Sequence, residues 1–133
     1  MFKLLLSTAL IVFSAQAHAR SEIDGVWELT EFTLTDNTGK TQRWCEGAYG
    51  TIIYTQGYMS VSLNCVGDPK KILLYSGPFS LNGSTVTHAV RNFSDPALKQ
   101  VFQRSVAMPS ENHLILAGPL LNGGRAVVYW TRR

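Results

Sequence analysis

The sequence predicts an all-β protein: eight antiparallel strands running up and down in chain order and closing into a barrel, with one short helical turn. Three observations predict it. From Gly25 onward, runs rich in Val, Ile, Thr, Tyr, Phe and Trp alternate with clusters of Gly, Asn, Asp, Pro and Ser. Most connections are short, which favours antiparallel neighbours. Eight such strands can close on themselves and leave no unpaired edge.

The first element is not a strand. Met1-Phe2-Lys3 carries one positive charge, residues 4–13 are an apolar run, and Ala17-His18-Ala19 is a small-x-small cleavage motif. The run is about half the roughly 20 apolar residues a bilayer-spanning helix needs. Residues 1–19 therefore read as an export signal, and residues 20–133 as one domain located in the periplasm or secreted. No second long apolar run follows, so no integral membrane segment is expected after signal removal.

The strands follow in order. Residues 26–35 form the first and close at Asp36-Asn37-Thr38-Gly39. Residues 50–55 and 58–63 form a hairpin around Thr55-Gln56-Gly57, which sets Tyr54 opposite Tyr58. Residues 72–81 run into Asn82-Gly83, a strong short hairpin signal, and residues 84–93 return. Asp95-Pro96-Ala97-Leu98-Lys99 suits a helical turn, with Asp95 as cap and Pro96 in the first helical position. Residues 99–107 and 113–117 are split by Pro109-Ser110-Glu111-Asn112, and Asn122-Gly123-Gly124 leads into the last strand, residues 125–131.

Cys45 and Cys65 are the only cysteines. The hairpin between them brings them nearly opposite each other, within the slippage of one bulge. Export places them where disulfides persist, so a Cys45–Cys65 bridge is expected. Two free thiols or a metal pair are the alternatives. No CxxC motif is present and no His adjoins either cysteine, which weakens the redox and zinc readings.

Composition narrows the function classes. The formal net charge is +3, and the basic residues are scattered apart from Lys70-Lys71 and Arg132-Arg133, so no nucleic-acid stripe is present. The carboxylates form no spaced pair suited to glycosidase chemistry. No Gly-x-Ser-x-Gly elbow or phosphate-cradling loop appears. No cofactor, no metal and no nucleic-acid partner are expected.

In residues 84–93, the more apolar face carries Val86, His88 and Val90, which should point inward. His88 then either orients a ligand or acts as a base, or is a core histidine satisfied by a hydroxyl such as that of Tyr75. Tyr54, Tyr58, Tyr75, Phe79, Phe102 and Trp130 recur on strands. With Met59 and Val61 they either line an apolar pocket or fill the barrel. The ligand-binding set is Tyr54, Met59, Val61, Tyr75, Phe79, His88, Phe102 and Trp130; no catalytic residue is assigned.

Several motifs then stand in a familiar order. They are Gly25-Val26-Trp27-Glu28-Leu29, Gly50-Thr51-Ile52-Ile53-Tyr54-Thr55, Gly57-Tyr58-Met59-Ser60-Val61, Tyr75-Ser76-Gly77, Gly83-Ser84-Thr85-Val86-Thr87-His88 and Val127-Val128-Tyr129-Trp130. The chain resembles the lipocalin-like domain family, short barrels of bacteria and fungi. Trp44-Cys45 and the cysteine pair depart from its pattern. The resemblance implies a lipocalin-like barrel able to hold a small apolar ligand. It also implies a structural role for Trp27, which closes one barrel end beneath a late basic residue: Arg125 and Arg132 are the candidates, with Arg132 assigned.

Three functions compete on this reading. The first is an exported binding protein for a small apolar ligand. The second is a periplasmic interaction or inhibitor protein, acting on a hydrolase such as lysozyme through Val66-Gly67-Asp68-Pro69-Lys70-Lys71. The third is an isomerase or cyclase using His88.

Overall fold

A computed structural model describes residues 20–120 and 123–133. The expected signal segment and Asn122 of the last turn lie outside the described residues.

The chain forms strands β1 (Gly25–Thr35), β2 (Thr41–Arg43), β3 (Ala48–Thr55), β4 (Tyr58–Cys65), β5 (Leu73–Asn82), β6 (Thr85–Ala89), β7 (Asn92–Phe93), β8 (Val101–Ser110), β9 (His113–Pro119) and β10 (Arg125–Arg132). The eight long strands follow one another around an antiparallel barrel, and β10 pairs with β1 to close it, from Trp27 opposite Arg132 to Thr35 opposite Arg125. β2 is a short addition alongside β1, and β7 pairs with β5. Among the described residues there is one 3₁₀ turn, Pro96–Leu98, and the Asp95 carboxylate caps it by accepting from the Ala97 N–H at 2.9 Å. Among the described residues no helix is long and apolar enough to cross a membrane.

Local chemistry sets the hairpins. Gln56 and Gly57 take φ of 50° and 77°, so the β3–β4 loop is a two-residue turn with both residues left-handed. Thr55 therefore faces Tyr58, and Tyr54 faces Met59. This corrects the expected Tyr54–Tyr58 pairing, because a two-residue loop moves the register by one. The strand expected over residues 84–93 is divided. Phe79 faces His88, whereas Ser76 faces Asn92, a one-residue change of register that marks a bulge. Gly77 makes the bulge possible, since a Cβ there would lie 2.0 Å from the Ala89 carbonyl oxygen. The strand expected at residues 99–107 reaches Ser110, and the register slips between Ala107 and Ser110, around Pro109.

Alternation along the strands gives the inner face. Ile52 and Tyr54 of β3, Met59, Val61 and Leu63 of β4, Val86 of β6, Leu114 and Leu116 of β9 and Trp130 of β10 are buried in one core. His88 is the buried polar residue among them.

The two barrel ends differ. At the end holding the β3–β4 and β5–β6 turns, the segment before β1 folds over the opening. Trp27 is fully buried and its indole N–H donates to the Ile23 carbonyl at 2.8 Å. The Arg132 guanidinium lies 4.2 Å over the Trp27 ring and donates to the carbonyls of Asp24, Glu22 and Glu111. Gly25 has φ of +136°, and a Cβ on it would meet Arg132 Nη1 at 2.7 Å. At the opposite, loop end, Cys45 and Cys65 are joined, with Cα atoms 6.1 Å apart. Trp44, next to the bridge in sequence, stacks on Phe32 at 5.1 Å. Lys71 donates to the Trp44 carbonyl at 2.8 Å and lies over its ring.

Candidate functional site

Every residue of the expected ligand-binding set faces the barrel interior. Tyr54, Met59, Val61, His88 and Trp130 are buried; Tyr75, Phe79 and Phe102 are half-buried and packed on the core. The structure brings five of them into one cluster. Tyr54 packs edge-on against Phe79 at 4.7 Å between ring centres, and Tyr75 lies 5.6 Å from Phe102. His88 sits between the two tyrosines. The Tyr54 hydroxyl meets His88 Nε2 at 2.5 Å, and the Tyr75 hydroxyl meets Nδ1 at 3.1 Å.

The proton arrangement of this bridge follows the His88 tautomer. Burial, reinforced by the nearby Arg104 charge, lowers the His88 pKa from 6.5 to about 4. The imidazole is therefore neutral at pH 7, with one N–H and one lone pair. Tyr54 is fully enclosed, and His88 is its hydroxyl's only hydrogen-bond partner among the described residues. When its proton goes to Nε2, Nδ1 carries the imidazole hydrogen and donates to the Tyr75 oxygen. The Tyr75 hydroxyl proton then has no acceptor among the described residues. The opposite tautomer exchanges the roles of the two phenols. Burial pushes both phenols above their ordinary pKa, so both stay protonated.

Arg104 was not anticipated from the sequence. On β8 the half-buried positions are Phe102, Arg104, Val106 and Met108, which puts Arg104 on the inner face. Its guanidinium lies 4.9 Å over the Phe102 ring. It also lies against Gly118 of β9, where a Cβ would meet Nη1 at 2.6 Å. The signal was present as a cation in phase with Phe102 and Val106 in a strict alternation, but a residue type usually found outside masked it.

Trp130 Nε1 is a buried N–H without an acceptor among the described residues. Outside the barrel, a groove of about 390 Å³ runs past Ser60, Ser62, Leu74, Ser76, Phe93 and Ser94. Among the described residues no group of three or more His, Cys, Asp or Glu side chains could hold a metal ion.

Neither a family model nor a curated protein matches the chain. Solved structures do. A lipocalin-like protein from Bacteroides uniformis superposes with a TM-score of 0.55 at 14% identity, covering 85% of this chain and 100% of that one. A redesigned β-barrel gives 0.51 at 16% identity, over 90% and 99% of the two chains. A second redesigned barrel, mFAP1 bound to DFHBI, gives 0.50 at 14% identity, over 84% and 95%. What these proteins share with this chain is the fold, a closed eight-stranded antiparallel barrel of lipocalin-like form.

Proposed function

We propose that the chain is exported, with residues 1–19 removed as a signal peptide, and that its barrel binds a small, largely apolar molecule from the loop end. The observation that carries this reading is the inner wall around His88. Tyr75, Phe79 and Phe102 offer half-buried aromatic surface there, with a few fixed polar groups. Small-molecule sites combine these features: apolar walls and a small number of oriented polar atoms. The other end is sealed by Trp27, Ile23 and Arg132, so a guest enters past the disulfide and Trp44. The lipocalin-like structure and the DFHBI-bound barrel support a small-molecule role for such a fold. Binding is favoured over catalysis because both His88 nitrogens are engaged by phenols, leaving neither to take a proton from a substrate.

The test is fluorescence titration of the exported protein with N-phenyl-1-naphthylamine, a neutral apolar probe. Saturable binding that weakens at least tenfold in Phe102→Ala or Phe79→Ala is expected. Absent binding, or binding indifferent to both changes, overturns the proposal. Export is tested separately by N-terminal sequencing of the protein from the periplasm or medium, with Arg20 expected as the first residue.

A further inference from the structure

Among the described residues, the barrel interior holds a cation without an anion. Among the described residues no carboxylate pairs with Arg104; its one hydrogen bond is to the neighbouring Gln103 carbonyl at 3.1 Å. The half-buried guanidinium is partly stripped of water, and an arginine in that position gains most from a charged acceptor. The surrounding wall makes room for the guanidinium itself. The β8–β9 register sets Arg104 beside Gly118, and Gly118 faces Ala126 of β10. Both small residues are buried on the inner side. Arg104 and Tyr75 both pack on the Phe102 ring. With Nδ1 protonated, the Tyr75 hydroxyl proton is left over from the His88 bridge. A planar fork of N–H donors and a free phenol therefore face the same interior.

We propose that this pair is an anion-recognition site. Arg104 and the Tyr75 hydroxyl hold the carboxylate of an apolar monocarboxylic acid, whose hydrocarbon body lies against Phe102 and Phe79. The guanidinium matches a carboxylate in two parallel hydrogen bonds, and the phenol supplies a third. His88 is a positioning residue here: its Nδ1–H holds the Tyr75 oxygen and leaves the hydroxyl proton for the guest. The Trp130 N–H is a second buried donor without an acceptor among the described residues. This inference rests on the proposed binding function and names the class of ligand.

The experiment is competition against N-phenyl-1-naphthylamine by decanoate and by methyl decanoate, which differ in charge and share a chain. In the wild-type protein, decanoate should displace the probe at least tenfold more effectively than the ester, and added NaCl should narrow the difference. In Arg104→Met the preference should collapse to within twofold, and Tyr75→Phe should reduce it severalfold. Gly118→Ala keeps the charge but intrudes on the guanidinium, and should also reduce the preference; it serves if Arg104→Met does not fold. Equal displacement by acid and ester in the wild type, or an acid preference that survives Arg104→Met, overturns the anion site while leaving apolar binding intact. If the probe does not bind and neither compound is taken up, both readings fall.

Discussion

The Tyr54 hydroxyl meets His88 Nε2 at 2.5 Å in the middle of the barrel, with both side chains almost wholly withdrawn from solvent. The contact ties a residue from β3 to one from β6, and the β5 tyrosine Tyr75 completes it at Nδ1. Stability, protonation and the orientation of a free hydroxyl all follow from it.

The first expectation concerns pH. The His88 pKa is lowered from 6.5 to about 4 by burial and then by Arg104. Above pH 6.5 both folded and unfolded states are neutral at this site, and the histidine adds no slope. Between pH 6.5 and 4 the unfolded chain takes up a proton that the folded chain refuses, so stability falls as pH falls. The full loss is about 3 kcal/mol at 1.36 kcal/mol per pH unit. Urea unfolding from pH 7.5 to 4.5 should show this slope, and His88→Gln should remove it. An unchanged slope in the variant would refute the assignment.

Hydroxyl deletions should be unequal. Tyr54→Phe leaves the buried Nε2 lone pair without a donor and should cost about 1–3 kcal/mol. Tyr75→Phe gives up a longer contact, 3.1 Å, made from a half-buried residue, and should cost less. Chemical denaturation of both single variants and the double variant gives the ranking. Tyr75→Phe costing more than Tyr54→Phe would contradict the tautomer with Nδ1 protonated.

The sealed end depends on Arg132. Arg132→Met gives up the stack on Trp27 and the bonds to three carbonyls, and should destabilise by about 2 kcal/mol, in the range for charged hydrogen bonds. Arg132→Lys should recover little, because an ammonium cannot spread over three acceptors and stack at once. Gly25→Ala should be comparably harmful, since it needs φ of +136° and collides with Nη1. Thermal melts, with amide exchange of residues 21–27 as the local readout, check all three.

At the other end, replacing both cysteines with serine should cost about 3 kcal/mol on the chain-entropy account. The Trp44–Phe32 stack beside the bridge should loosen with it. Near-ultraviolet circular dichroism and tryptophan fluorescence of the reduced, folded protein would report that change. An unaltered Trp44 signal would mean that Phe32 and Lys71 hold the tryptophan without the disulfide.

Much of the wall was legible in the chain. Period-two alternation put His88 inside with Val86 and Val90, because a strand with one buried face has one choice of phase. Tyr54, Met59, Val61 and Tyr75 were picked out as apolar and aromatic strand residues rather than by phase. Tyr58, grouped with them, lies exposed on the outer side because it is out of phase with Met59. The cysteine pairing was readable from a hairpin that had to bring the two together. Arg104 was overlooked although its alternation was equally clear, since composition argues against a buried cation and the absence of a partner is visible only in three dimensions.

The sequence by itself determined what is local: strand order, turn chemistry at Gln56-Gly57 and Gly83, the Asp95 cap, and which side chains share a face. The tertiary structure decided what depends on residues far apart. The β1–β10 register places Arg132 beside Trp27 and sends Arg125 to the far end opposite Thr35, a choice no local pattern contains. Closure of the barrel likewise brings Tyr54, Tyr75, His88 and Arg104 from four strands into one interior. The physical reason is that backbone preference and alternation act over a few residues, whereas register across a closing seam is set by the packing of the whole ring of strands.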